Sequence, residues 1–447
     1  MMVPGNRLIY WTALVGAGAA ALWAVQPGLL PVTVALCGLF VLATAADAWR
    51  GRRKIKTVVV TVPDEARATV DRPATLELVV QAGTQDLRIA ALWPEAVTPE
   101  QEILTVRLPG DGGAGRVEWP YTVRRRGVYS LPRLRVEVES AWRLWTFRRD
   151  IEVSCRMRGY PNMMPEQKGL AAIFLNRGLV GVHAQRQVGK GREVEKLREY
   201  LPGDSYEDIH WKATAKRARP ITKVFQVERV QEVYLVMDVS RLSARPAPGL
   251  SDLDAASTDR TQLERFITAA MVLGAVAQRQ GDLFGVMAFD GQVRAFVRAG
   301  HGRQHYSACR DAIFALEPGT GNPDFGEAFT FLRLRLRRRA MLFFLTSLDD
   351  PVLAEGFLNN VGIIARRHLV MVNMLPAPGV GPLFQGADVE TADDVYLRLA
   401  GHLVWNDLRE LELRLRQRGV SMAMTENERL CPQLVTQYIS ARQRQLL

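Results

Sequence analysis

At 447 residues the chain is long enough for two or three domains, each burying a core of its own. A formal charge of +11 and a sequence pI near 9.7 favour acidic neighbours, anionic lipid among them, without singling out nucleic acid. Cys37, Cys155, Cys309 and Cys431 lie far apart in sequence, which excludes a CxxC metal pair and a dense disulfide framework and suits a reducing cytoplasm.

Leu8 to Val25 and Leu29 to Ala46 are almost wholly apolar and are parted by Gln26-Pro27-Gly28. Each run has about the length of a bilayer span, so residues 1–56 read as a transmembrane helical hairpin. The small residues from Gly16 to Ala21 also suit a cleaved signal peptide, but the second long span argues for a retained anchor. Arg50, Arg52, Arg53, Lys54 and Lys56 follow directly. By the positive-inside tendency they hold the large C-terminal part in the cytoplasm, as expected of a two-pass protein of the cell (inner) membrane.

Over residues 57–160 the pattern changes to short β-like runs at Val58–Val62, Thr75–Val80, Ile103–Leu108, Arg116–Val123 and Arg133–Val138, separated by Gly, Pro and Asp turns. Such spacing predicts a β-sandwich. Trp142, Trp145 and Phe147 suit its core or membrane-proximal packing better than a ligand cage.

Residues 161–230 form a linker segment that holds the densest chemistry, from Gly191 to Lys223. Pro202-Gly203-Asp204 is a tight-turn sequence, with proline presetting φ and glycine taking the conformation others resist. Ser205 with Asp208 three positions on fits a capping box, which puts His210, Trp211 and Lys212 on a short helix. Asp204 and His210 are the acid and imidazole nearest one another here, yet six positions apart they do not share a helix face, so a base and orienting carboxylate are disfavoured.

From residue 231 to 447 strands and helices alternate. Strands are expected at Glu232–Asp238, Leu283–Phe289, Val293–Val297, Ala340–Thr346, His368–Met374 and Val420–Met424. Helices are expected at Thr261–Gln280, Arg303–Leu316, Gly326–Arg338, Val352–Arg366, Ala392–Gln417 and Asn427–Arg444. This is the signature of a doubly wound α/β sheet with crossover helices. The apolar run ending at Asp238 would deliver that carboxylate to the carboxyl end of a buried strand, where ligands sit in such sheets. His301, His305 and Cys309 have zinc-compatible spacing but no fourth ligand and a poor helix start between two glycines. Arg333, Arg335, Arg337, Arg338 and Arg339 suit a solvated helix end, or a face for anionic lipid or an acidic partner.

Arg198, Glu199, Tyr200, Pro202, Gly203, Asp204, Ile209, Trp211, Lys212, Thr214, Ala215 and Lys216 together reproduce an Arg-Glu-Tyr-x-Pro-Gly-Asp-x-x-x-x-Ile-x-Trp-Lys-x-Thr-Ala-Lys/Arg signature. In this the chain resembles the family catalogued as domain of unknown function 58 (DUF58), whose members carry that signature just ahead of a von Willebrand factor A-like domain. Arg124-Arg125-Arg126-Gly127-Val128-Tyr129 also resembles the Arg-Arg-Gly-x-Tyr strand-entry motif of that family's N-terminal β domain, the plainer reading being an edge strand kept from aggregating by its charge.

The resemblance implies a multidomain membrane protein: hairpin, β-sandwich, then an α/β domain of von Willebrand factor A type. In that fold a metal-ion-dependent adhesion site takes an Asp-x-Ser-x-Ser loop, a Thr from a second loop and an Asp from a third, oxygen donors suited to Mg²⁺. Asp238 and Ser240 match, Leu242 replaces the second serine with Ser243 one place late, and Ser347 stands where the third-loop aspartate belongs, followed by Asp349 and Asp350. The second loop offers Thr320 or Asp324. The resemblance further implies a MoxR-type AAA+ ATPase and other membrane proteins as working partners. The expected function is a non-enzymatic membrane-anchored adaptor with no nucleic-acid partner, binding through Arg198, Glu199, Tyr200, Pro202, Gly203, Asp204, His210, Trp211, Lys212 and Lys216. The alternative is an envelope-associated metal-dependent hydrolase with its site near Asp238.

Overall fold

Two long apolar helices, α1 (Asn6–Val25) and α2 (Leu30–Lys56), take up the predicted hairpin in a computed structural model of the protein. The structure describes the chain except at 26–27, 29, 83–85, 109–113, 165, 167–187, 202–204, 227–229, 248–260, 385–390 and 445–447, and gives backbone alone at 188–196, 208 and 224–226. By its internal contacts the chain divides into two units, Met1–Asn162 and Met163–Leu447.

In the first unit, α1 and α2 are long and apolar enough to cross a membrane, with mean hydropathy of 1.7 and 1.9, and are almost wholly exposed. Helix α2 continues through Arg50–Lys56, so the basic flank forms its last turns, where cations also complement the helix C-terminus. The same end is seated on β structure. Trp145 Nε1 donates to the Thr44 carbonyl at 3.0 Å, and the Trp142 amide donates to Asp47 Oδ1 at 3.3 Å. Gly51 lies against the Phe147 ring so closely that a Cβ would fall 2.2 Å from it. Trp142, Trp145 and Phe147 thus meet the last turns of α2, while Phe147 also enters the core and Trp145 packs against it.

The strands of this unit are β1 (Met2–Pro4), β2 (Val59–Thr61), β3 (Glu65–Thr69), β4 (Pro73–Gln81), β5 (Asp86–Ala91), β6 (Val97–Pro99), β7 (Ile103–Arg107), β8 (Ala114–Val123), β9 (Gly127–Glu139) and β10 (Trp145–Tyr160). One sheet runs β1-β10-β9-β5-β7 with β3 parallel to β10; the other runs β2-β4-β8-β6. Period-two burial explains the pairing of their inner faces: Leu76, Leu78 and Val80 of β4 and Trp119 and Tyr121 of β8 share one core with Ile89, Val106 and Val136 of the first sheet. The Tyr129 hydroxyl donates to the carbonyls of Arg125 (2.9 Å) and Arg126 (3.1 Å), closing the Arg-Arg-Gly-x-Tyr turn over Gly127 at φ +147°.

The second unit opens with an antiparallel ribbon, β11 (Val188–Glu199) and β12 (Ile221–Gln226), joined through α3 (Trp211–Arg217). There follow β13 (Glu232–Asp238), α4 (Gln262–Arg279), β14 (Leu283–Phe289), β15 (Val293–Gly300), α5 (Arg303–Ile313), α6 (Phe325–Arg335), β16 (Ala340–Leu345), α7 (Pro351–Ala365), β17 (Leu369–Met374), α8 (Ala392–Gln417), β18 (Ser421–Met424) and α9 (Leu430–Gln443). The sheet order is β15-β14-β13-β16-β17-β18, parallel throughout except at the β15 edge. Every residue of β13 and β16 is buried, which is why both read as unbroken apolar runs. Tyr234 and Val236 face α6, α7 and α8, where Phe329, Phe344 and Phe357 meet edge to face at 5.2–5.9 Å. Helices α4, α5 and α9 contact one another and the strands from the opposite side. The strand order reverses between β13 and β16, so the carboxyl ends of these two strands frame the switch point at which open α/β sheets bind ligands.

Candidate functional site

Asp238 closes β13 at that switch point and is 1% exposed. Its Oδ1 accepts from the Ser240 amide and its Oδ2 from Thr346 Oγ1, both at 2.8 Å. Burial pushes the Asp238 carboxyl above the usual carboxylate range, the hydrogen bonds of Ser240 and Thr346 oppose that rise, and neighbouring Asp290 adds to it. Ser240 Oγ accepts from the Leu242 amide at 3.3 Å, and Ser243 Oγ donates to the Ser240 carbonyl at 2.8 Å. Ser347 Oγ donates to Gln262 Oε1 at 3.0 Å.

The surrounding carboxylates are also engaged. Asp290 Oδ2 pairs with Arg294 Nε at 2.7 Å, and Asp349 pairs with Arg245. Gly319 approaches so near that a Cβ there would sit 2.6 Å from Asp290 Oδ2, while its amide donates to the Val239 carbonyl at 2.6 Å. Of the two second-loop candidates, Thr320 is exposed, and Asp324 caps α6 by accepting from the Glu327 amide at 3.0 Å.

A cation such as Mg²⁺ needs several oxygens converging in near-octahedral array. Here Asp238, Ser240 and Ser243 spend their side-chain oxygens on Thr346 and on local backbone groups, and Asp290 and Asp349 each face an arginine, with only Asp349 Oδ1 left without a partner among the described residues. The residues present do not fit the ion. Beside them opens a cleft of about 410 Å³ of mixed character, lined by Asn322, Asp324 and Asn360 together with Phe325, Val352 and Leu353.

The signature folds on itself. The His210 amide donates to the Ile221 carbonyl at 2.7 Å, the Ile221 amide to Thr214 Oγ1 at 3.0 Å, and the Tyr200 amide to the Pro220 carbonyl at 2.9 Å. Ile209 and Ile221 are buried beneath. The predicted Ser205–Asp208 capping box is not formed: Ser205 precedes a single 3₁₀ turn and makes no side-chain cap bond. The cap is His210, whose Nδ1 accepts from the Ala213 amide at 3.1 Å, and the helix starts one residue later at Trp211. A ring nitrogen does here what a serine oxygen does elsewhere.

Fixing that backbone leaves large side chains outside. Trp211 is 69% exposed and Tyr206 75%, with Tyr206 stacked on Tyr200 at 5.8 Å. Lys212 and Lys216 are exposed around them, and Glu199 pairs with Arg219 at 2.6 Å. Arg198 lies half-buried in β11 opposite Thr222. Pro202, Gly203 and Asp204 lie outside the described residues.

Two features escaped the sequence reading. Thr346 looked like the last residue of a strand, and only the β13–β16 pairing makes it the partner of Asp238. Tyr206 occupies an unspecified position of the signature, and nothing local marks it as exposed. The zinc-spaced trio also separates: His305 Nε2 lies 2.8 Å from the Phe284 carbonyl and 3.4 Å from Cys309 Sγ, while His301 is exposed. Among the described residues no three His, Cys, Asp or Glu side chains converge as a metal centre.

Residues 196–381 match the family described as "Protein of unknown function DUF58". The match takes in the segment holding the signature and most strands of the α/β sheet. The uncharacterized proteins Rv1480 of Mycobacterium tuberculosis and Mb1516 of Mycobacterium bovis are each 26% identical over 195 residues, 43% of this chain. That match covers 57% of the relatives' own length.

Among solved structures, the PilB minor pilin from Streptococcus sanguinis aligns over 81% of this chain and 88% of its own, with TM-score 0.33 and 7% identity. BatB from Bacteroides thetaiotaomicron aligns over 47% and 99%, with TM-score 0.29 and 13% identity. The SpRpn10 VWA domain aligns over 46% and 95%, with TM-score 0.26 and 10% identity. All three scores lie below one half, so the architecture rests on the chain's own sheet order.

Proposed function

We propose that the protein is a two-pass, membrane-anchored, non-enzymatic adaptor whose signature module docks a partner protein. The observation that carries this reading is the exposure of Trp211 and Tyr206 on a backbone pinned by Ile209, His210, Thr214 and Ile221. Exposed Trp and Tyr on a fixed backbone suit a docking surface, since Trp, Tyr and Arg concentrate binding energy at protein interfaces. The partner proposed from the family resemblance is a MoxR-type AAA+ ATPase, with other membrane proteins of the same system as clients. The anchor is the hairpin, with Arg50–Lys56 on the cytoplasmic side of an inner membrane. The two N-terminal sheets are inferred to be a β-sandwich and the α/β part a doubly wound sheet.

A metal-dependent hydrolase at Asp238 is the competing reading. The engagement of both Asp238 oxygens and the ion-paired state of Asp290 and Asp349 weigh against it. The deciding experiment is capture of the detergent-solubilised protein from its native membrane, with and without Mg²⁺ and ATP, comparing wild type with Trp211→Ala/Tyr206→Ala. Recovery of an AAA+ ATPase with wild type and its loss with the folded variant supports the adaptor. Equal recovery, or none, overturns this role for the signature.

A further inference from the structure

The crossover helices α6, α7 and α8 run antiparallel to their strands, so their C-termini gather at the amino ends of β16, β17 and β18, opposite the Asp238 end. There the chain places Arg333 and Arg335 in the last turn of α6 and Arg337–Arg339 after it, Arg366 and Arg367 after α7, and Arg414 and Arg416 in the last turn of α8 with Arg418 after it. These three segments hold ten arginines and no carboxylate, and all ten are exposed. They are physically adjoining. Arg339 and Arg367 stand two residues outside the β16–β17 ladder in register with each other, the Arg367 guanidinium donates to the Arg337 carbonyl, and that of Arg418 donates to the Leu358 carbonyl. Among the described residues none of the ten forms an ion pair, and the nearby Glu412 is taken by Arg409 at 2.8 Å.

Basic residues complement a helix C-terminus, but that effect fades within the last turn and does not extend to loop positions 337–339. Ten like charges on one face repel, and among the described residues no carboxylate pairs with them. A second observation narrows the occupant: Leu334 is 71% exposed and Leu413 60%, interleaved with the arginines. Cationic side chains around exposed leucines suit the boundary between headgroups and acyl chains, where apolar burial adds to the attraction for anionic lipid. Among the described residues no helix after α2 is both long and apolar enough to cross a membrane, which fits this face being on the same side of a bilayer as the Arg50–Lys56 flank.

We propose that the arginine face at the amino ends of β16–β18 is a docking surface for the anionic headgroups of the membrane that holds the hairpin. It rests on the membrane anchorage above but not on the signature's partner. A domain so seated presents the Asp238 end of its sheet away from the lipid.

The test uses the full chain in nanodiscs made with brominated phosphatidylglycerol or brominated phosphatidylcholine, in a Cys37→Ser background, since the other cysteines are buried. A bimane label at Leu334→Cys reads contact with lipid, one at Val352→Cys (77% exposed, at the start of α7) reads the far end, and one at Leu39→Cys reads the hairpin. The expected result is strong quenching at 334 in phosphatidylglycerol that is mostly lost in phosphatidylcholine, in high salt and in Arg335→Gln/Arg337→Gln/Arg338→Gln, is retained by the corresponding lysine variant, and is absent at 352. No quenching at 334 with quenching at 39 overturns the proposal and leaves the anchor standing. No quenching at 39 overturns the anchor itself. Equal quenching at 334 in both lipids, or a response at 334 only to duplex DNA or an acidic polypeptide, also overturns it.

Discussion

Thr346 Oγ1 donates to Asp238 Oδ2 at 2.8 Å, joining the ends of the two strands that flank the switch point of the α/β sheet. In an adhesion-type site such oxygens would turn toward a cation; here they turn toward each other. Thr346→Val keeps the shape and removes the donor, leaving half of a buried carboxylate unsatisfied. The expected cost is about 1–3 kcal/mol, read by chemical denaturation in detergent. An unchanged midpoint would mean that the bond contributes nothing.

The same closure predicts indifference to Mg²⁺. A site-bound ion at ten times its dissociation constant would add about 1.4 kcal/mol of stability. Millimolar Mg²⁺ is expected to leave the melting temperature where it is, and a saturable rise abolished by Asp238→Ala would reinstate the metal site.

His368 gives a pH dependence. It is 4% exposed, and its Nδ1 accepts from the Ala340 amide at 3.2 Å at the start of β16. Burial, with Arg367 and Arg339 nearby, brings its pKa down to about 4. An unfolded histidine takes up its proton near pH 6.5, whereas the folded one resists until about 4, so the unfolded chain binds more protons in that window and stability falls as pH falls. The full loss is roughly 3 kcal/mol, complete below pH 4. His368→Asn, which keeps an acceptor but does not titrate, should flatten the urea midpoint between pH 6.5 and 4; an unchanged slope would assign the effect elsewhere.

How much of this was legible in advance follows from what each signal depends on. β13 and β14 appear with their predicted boundaries because a fully buried parallel strand must be apolar at every position. Strands β1, β3, β5, β6, β10, β11 and β12 were missed: several are short, Glu65–Thr69 with its alternating charges has no apolar run to see, and the long β10 is broken up by arginines and acids at its outward positions. The signature's chemistry was visible, but its cap was not, since histidine is a rare helix cap and serine a common one. The exposure of Trp211 depends on Ile209 and Ile221 filling the inside of the turn, and the partnership of Asp238 with Thr346 depends on strand order, which no local pattern encodes.

The last prediction separates the signature's inner and outer residues. Trp211 and Tyr206 are mostly exposed, so Trp211→Ala and Tyr206→Ala should each change stability by no more than about 0.5 kcal/mol. Ile209, 7% exposed, and His210, the cap of α3, hold the platform. Losing the cap should cost about 1 kcal/mol, and Ile209→Ala about 2–4 kcal/mol of local stability, read as faster hydrogen exchange across α3 and β12. If Trp211 is an interface anchor, its truncation costs about 2 kcal/mol of binding, roughly thirtyfold in affinity, with exchange unchanged. If instead it braces the module, exchange and binding will move together in Trp211→Ala as they do in Ile209→Ala. The two patterns cannot both hold, so one pair of variants, measured for exchange and for partner affinity, decides whether the exposed tryptophan serves the fold or the partner.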